Sequence, residues 1–218
     1  MNVLIERGHA LTAEDNDAID RERLARVAAG DRVAYRALAE AYLPKIVAFA
    51  YRLLASRAEA EEVAQDTFLR VWENAARFEP KARVATWIHT IAHHLAVDRL
   101  RKRRVTAREP LDAPAPSSAS PGASLERRRV AARVEAALDA LPERQKTAIA
   151  LVHLQGLTNP EAAAVLGIGI DAIESLLARG RRKLKESLAE FAPSELDALE
   201  PAETRPAYPQ PNTRGGAA

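Results

Sequence analysis

The sequence predicts an all-α protein of two small helical domains joined by a flexible linker, the second containing a helix-turn-helix. Three observations carry this. Hydrophobic residues make up 47% of the 218 but aromatics only 5%, and alanine and leucine dominate the apolar set, which favours helices over strands. Apolar residues recur at helical spacing: Val63, Ala64, Thr67, Phe68, Val71, Trp72 and Ala75 fall on one side of a helical wheel. Residues 105–124, VTAREPLDAPAPSSASPGAS, lose that period and read as the linker.

In chain order, residues 1–19 read as a loosely ordered acidic arm with Glu6, Glu14, Asp15 and Asp17; they lack the apolar core of a signal peptide. A helix over 20–29 is stopped by Gly30, and Asp31 caps the next. That helix holds Val33, Leu38, Ala41 and Tyr42 and is expected to end at Leu43, because proline disfavours a helical residue before it. Another helix over 45–55 presents Ile46, Val47, Phe49, Ala50, Leu53 and Leu54. Two more, joined by the turn at 78–84, complete a bundle over residues 20–104, the second beginning near Ala85 with Trp87, Ile88, Ile91, Leu95 and Leu100 as its apolar residues.

Beyond the linker, Val130, Val134, Leu138 and Leu141 mark a helix ended by Pro142, and residues 143–155 form another ended by Gly156. Asn159 is the expected cap and Pro160 the first residue of a short helix reaching Leu166. Gly167-Ile168-Gly169 makes a tight turn into a long helix with Ile170, Ile173, Leu177 and Leu184 inward. Short helix, glycine turn and longer helix are the helix-turn-helix pattern, so residues 125–190 form the second domain. Residues 191–218, rich in proline, read as a mobile tail.

The formal charge is only +2, so any nucleic-acid site must come from clustered bases. The absence of cysteine excludes disulfides, thiolate zinc sites and cysteine nucleophiles, and fits a cytoplasmic location. No apolar run approaches the ~20 residues of a membrane span.

Three surfaces carry candidate function. Opposite the core stripe, Glu62, Gln65, Asp66, Leu69 and Glu73 form an acidic face with one leucine in its middle. It suits a partner with basic and apolar contacts; a solvated face with a stray leucine fits as well. The following helix closes with Arg99, Arg101, Lys102, Arg103 and Arg104. One or two cations complement the macrodipole, but five in six positions repel one another unless an anion such as phosphate is present. The preceding turn carries Lys81 and Arg83 and leads to Trp87, either a platform for an unstacked base or a core aromatic. On the last helix Asp171, Glu174, Ser175, Arg179 and Arg182 face outward, with Lys183 beside them. Acids near a helix start repel phosphate but accept a hydrogen bond from a cytosine amino group. His89 and His93 are four apart and share a face, with Asp98 further along, but Thr90 stands where an HExxH motif needs glutamate, and the surroundings are basic. No catalytic residue, metal or cofactor is assigned.

The run EEVAQDTFLRVW, then RF, then TWIHTIAHHLAVDRLRKRR resembles region 2 of the extracytoplasmic-function (group IV) sigma factors of bacterial RNA polymerase. Residues 141–184, opening LPERQKTAIALVHLQGLT, resemble region 4. The resemblance implies a cytoplasmic initiation subunit, without an active site of its own, that serves a specialised regulon. Glu62, Gln65, Asp66, Leu69 and Glu73 would bind the clamp helices of the largest core polymerase subunit, and region 4 the second-largest subunit. Lys81, Arg83, Trp87, His94 and the basic block would recognise and melt the −10 element of promoter DNA. The last helix would read the −35 element, and an anti-sigma factor would mask the polymerase-binding surfaces. Members often carry asparagine where His94 stands and glycine where Pro80 stands, and many have lysine and arginine where this chain has Glu174 and Leu176. Base preferences therefore do not transfer. An ordinary regulator using its helix-turn-helix, with the first domain as a sensor, would instead bind duplex DNA without polymerase. Fully extended, the linker's ~20 residues reach ~70 Å, about two turns of duplex.

Overall fold

The computed structural model describes residues 12–106 and 125–189. The expectations for residues 1–11, for most of the linker and for the tail lie outside the described residues. Among the described residues there are eight α-helices and no strand.

Helix α1 (Ala13–Ala28) begins earlier than the predicted residue 20. Thr12 and Asp15 form a capping box: Asp15 N donates to Thr12 Oγ1 (3.1 Å) and Thr12 N to Asp15 Oδ2 (2.9 Å). Acids assigned to a loose arm are thus first-turn acids that favour a helix N-terminus. Asp17, Asp20, Leu24 and Val27 form its buried face.

Helix α2 (Arg32–Leu54) is continuous through Pro44, where two helices were expected. Pro44 cannot donate to the carbonyl of Glu40, but both residues are exposed, so water can take that carbonyl. Meanwhile Leu38, Tyr42, Ile46, Phe49, Ala50 and Leu53 hold one buried stripe across the proline. Packing on the inner side outweighs one lost bond on the outer. Ser56 caps α3 (Arg57–Asn74), followed by a 3-10 turn at Ala75–Arg77. Helix α4 (Val84–Thr106) runs two residues into the predicted linker. It packs on α1, α2 and α3 through Val84, Ile88, Ala92, Leu95 and Ala96.

In the second unit, α5 (Leu125–Asp139) and α6 (Glu143–Ile149) lead into a π-helical turn at Ala150–Leu154, where a continuing α-helix was expected. Gln155 N bonds back to Ala150 O (2.9 Å) and Leu157 N to Leu151 O (3.0 Å), which folds Leu157 over the buried Leu151. The cap of α7 (Asn159–Leu166) is Thr158, not Asn159: Thr158 and Glu161 form a capping box. Gly167, at φ 63°, turns the chain into α8 (Ile170–Leu188). Ile173, Leu176, Leu177, Gly180, Leu184 and Leu188 are buried, whereas Ile170, expected inward, is 51% exposed at the first turn. Gly180 sits where α8 crosses α6; a Cβ there would lie 3.1 Å from Ile149 Cγ1, so glycine permits the close approach.

The two units touch. α4 lies against α7, and α2 meets α6 and the π turn. Arg52 pairs with Glu135 (3.3 Å) and Arg83 with Glu161 (3.0 Å).

The joint between α1 and α2 gives a stability test. Tyr42 Oη donates to the buried Asp20 Oδ2 (2.5 Å). Tyr42→Phe removes that donor and should cost about 1–3 kcal/mol of stability, read as a lower urea midpoint at unchanged slope.

Candidate nucleic-acid interface

The polymerase-facing candidates on α3 separate into two groups. Gln65, Leu69 and Glu73 are exposed, Leu69 at 55%. Glu62 and Asp66 instead engage α4: both accept hydrogen bonds from Arg99, Asp66 at 3.2 Å. Each carboxylate remains about half exposed, so the pairing contributes little stability, about 0–1 kcal/mol. The hydrogen bond to Glu62 is the chief reason Arg99 holds its proton more tightly than usual.

The basic end of α4 is likewise divided by helical geometry. Arg103 donates to Leu54 O (2.8 Å) and pairs with Glu59 (3.2 Å), four residues along from Arg99 on the same face. Arg101 and Lys102 are exposed. Arg104 lies outside the described side chains. The described bases of the cluster thus differ in setting: Arg99 and Arg103 tie α4 to α3, and Arg101 and Lys102 are exposed.

The 78–83 turn is held from α1 and from the second unit. Lys81 is exposed and pairs with Glu79 (2.5 Å). Arg83 is half-buried, with Glu161 as its partner, and Thr86 Oγ1 donates to the same carboxylate (3.2 Å). The Arg83 Nε is buried without a partner. Trp87 is half-buried, its ring edge-on to Phe78 at 5.4 Å between centroids. Sequence reasoning left Trp87 between platform and core; it packs against the core with part of its surface accessible. His94 is exposed on α4. Sequence reasoning missed Asp17, Arg21 and Glu161, which hold the turn. A signal for the first existed: no residue with a side-chain acceptor directly precedes α4.

On α8, Asp171, Glu174, Ser175, Arg179, Arg182 and Lys183 are all exposed, opposite the buried stripe. This is one polar face on the second helix of a helix-turn-helix, acidic at its start and basic toward its end.

His89 is buried, with Nδ1 2.8 Å from Ala85 O. Its pKa is lowered mainly by burial. Among the described residues no group of three or more His, Cys, Asp or Glu is arranged to hold a metal ion. Nor is any described helix long and apolar enough to cross a membrane.

The comparisons agree with this geometry. Residues 38–106 match the family model Sigma-70 region 2, and residues 131–184 match Sigma-70, region 4. The chain is 32% identical over 160 residues to the ECF RNA polymerase sigma factor RpoE of Cereibacter sphaeroides, covering 73% of this chain and 88% of that one. It belongs to the ECF sigma factor family. It is also 30% identical over 172 residues to the ECF sigma factor SigE of Mycolicibacterium smegmatis, covering 76% of this chain and 66% of that one. A similar solved structure is the sigma factor RpoE from Bartonella quintana in complex with the anti-sigma factor NepR, with a TM-score of 0.62 and 27% identity over 72% of this chain and 98% of that one. As a family member this sigma factor acts in promoter recognition and transcription initiation, with core RNA polymerase and promoter DNA as its partners.

Acid should weaken this sigma factor through α4. Burial pushes the His93 pKa down from 6.5 to about 4, the neighbouring His94 adding to the shift and Glu143 of α6 opposing it. The unfolded chain takes up that proton near pH 6.5 and the folded chain only near pH 4. Stability present above pH 6.5 is therefore lost as pH falls through that window, and His93→Gln should flatten the slope of urea midpoint against pH.

Proposed function

We propose that this sigma factor brings polymerase to promoters at two points and opens the DNA at one of them, the −10 element. The exposed α3 face around Leu69 docks on the clamp helices of the largest subunit. The 78–83 turn, Trp87 and α4 engage and melt the −10 element, with Arg101 and Lys102 on phosphates. α8 reads the −35 element, and the second unit also meets the second-largest subunit. The observation that carries this reading is the single polar face of α8, from Asp171 to Lys183, set against a fully buried opposite stripe. Phosphate contacts fix register and base-edge contacts select sequence, so the acids at the helix start are the specificity candidates. Arg83 reaches DNA only once the contact between α4 and α7 parts. An anti-sigma factor that masks the α3 face is part of the proposal; support comes from the relative solved with NepR. No active site of its own is proposed.

Run-off transcription from genomic fragments, with core polymerase and this chain, tests the reading. Specific transcripts that require both support it; tight duplex binding without polymerase would favour an ordinary regulator. Leu69→Arg should weaken core association at least ~10-fold, about 1.4 kcal/mol, at normal helicity.

Charge substitutions separate the surfaces. Arg101→Ala should lower the salt slope of holoenzyme–promoter binding by about 0.9, and Arg99→Ala by less, because Glu62 and Asp66 already neutralise it. Glu174→Ala should change preference between −35 sequences by about 1–3 kcal/mol with little change in slope. Salt titrations on two promoters differing only at −35 check both.

A further inference from the structure

Helix α4 starts without a cap of its own. Ala82 and Arg83 precede Val84, and neither side chain can accept a hydrogen bond. The acceptor comes from α1: Val84 N donates to Asp17 Oδ1 (2.8 Å). A buried carboxylate there satisfies an orphan amide and complements the helix dipole.

The second oxygen of Asp17 accepts from Arg21 Nε (2.6 Å). The far side of that guanidinium donates to Pro80 O (3.3 Å) and Ala82 O (3.0 Å), two carbonyls of the turn. Its carbon also lies 5.8 Å from the centroid of the Phe78 ring, which meets Trp87 edge-on. The turn supplies a backbone bond of its own, from Lys81 N to Glu79 O (2.8 Å), while Glu79, Pro80 and Lys81 are exposed. On the α1 side its shape is set through these two backbone carbonyls, while Arg83 ties its end to Glu161 of α7.

We infer that Asp17 and Arg21 are positioning residues for promoter opening: one ion pair on α1 fixes the start of α4 and the shape of the turn that receives the separated strand. The inference rests on the −10 role proposed for that turn. Neither residue touches DNA in this scheme. They act by holding the turn and Trp87 in place before the duplex arrives, so no part of the promoter's binding energy is spent on ordering them.

The test uses holoenzyme reconstituted from the full chain and core polymerase, on a promoter the wild type opens. Opening is read by permanganate reactivity of unpaired thymines, and core association by pull-down. Asp17→Ala and Arg21→Ala should each slow opening about tenfold, equivalent to about 1.4 kcal/mol, with core association unchanged. Asp17→Asn should fall between, since its amide oxygen still accepts from Val84 N while the charge facing Arg21 is gone. The double variant should be no slower than the worse single one, because the two residues act as a unit. On the same promoter carrying a pre-melted bubble across −10, all variants should regain wild-type transcription; damage that is merely structural would persist there. Where Asp17→Ala loses helicity, Asp17→Asn and Arg21→Ala carry the same comparison. Normal opening by folded variants, or an equal loss on duplex and bubble templates, would overturn the inference. A wild-type holoenzyme that opens no promoter would reject the proposed function instead.

Discussion

The first unit depends on burying one stripe of α4. Val84, Ile88, Ala92, Leu95 and Ala96 of that helix meet the faces of α2 and α3 with almost no exposure. A fully buried isoleucine or leucine contributes about 1.5–3 kcal/mol, so this stripe outweighs any single polar contact around it. With the stripe inward, the rest of α4 has no freedom of direction. Its N-terminus falls beside Asp17, Arg99 and Arg103 fall against α3, and Thr86 falls on α7.

That placement reassigns charge. A run of bases looks like one phosphate patch in the sequence, but a helix distributes side chains at neighbouring positions around its circumference. Two of them are spent on the carboxylates of α3. The same contacts partly neutralise Glu62 and Asp66, leaving Leu69, with Gln65 and Glu73, as the centre of the exposed α3 surface. Surfaces assigned to polymerase and to DNA thus meet along one seam of ion pairs.

Helix class, the buried stripes and the helix-turn-helix were legible in the sequence because each rests on periodicity within one element, as with Val63, Phe68 and Val71 on α3 and Ile173, Leu177 and Leu184 on α8. The misreadings lie where a distant residue decides. Pro44 ends a helix by local rules, yet α2 continues because its two halves share one buried stripe. Asp17 looks like part of an acidic arm until Val84 is beside it. Arg83 reads as a free base in the turn, yet here it pairs with Glu161, 78 residues away. No pattern along the chain encodes such pairings.

In the proposed scheme the two units read two promoter elements within one polymerase complex. Site-specific photocrosslinking in the holoenzyme–promoter complex tests it most directly, with one probe at position 87 and another at position 174. Crosslinks are expected from 87 to the −10 region and from 174 to the −35 region, both dependent on core polymerase. Crosslinks from both positions to the same element, or unchanged crosslinking when polymerase is omitted, would contradict it.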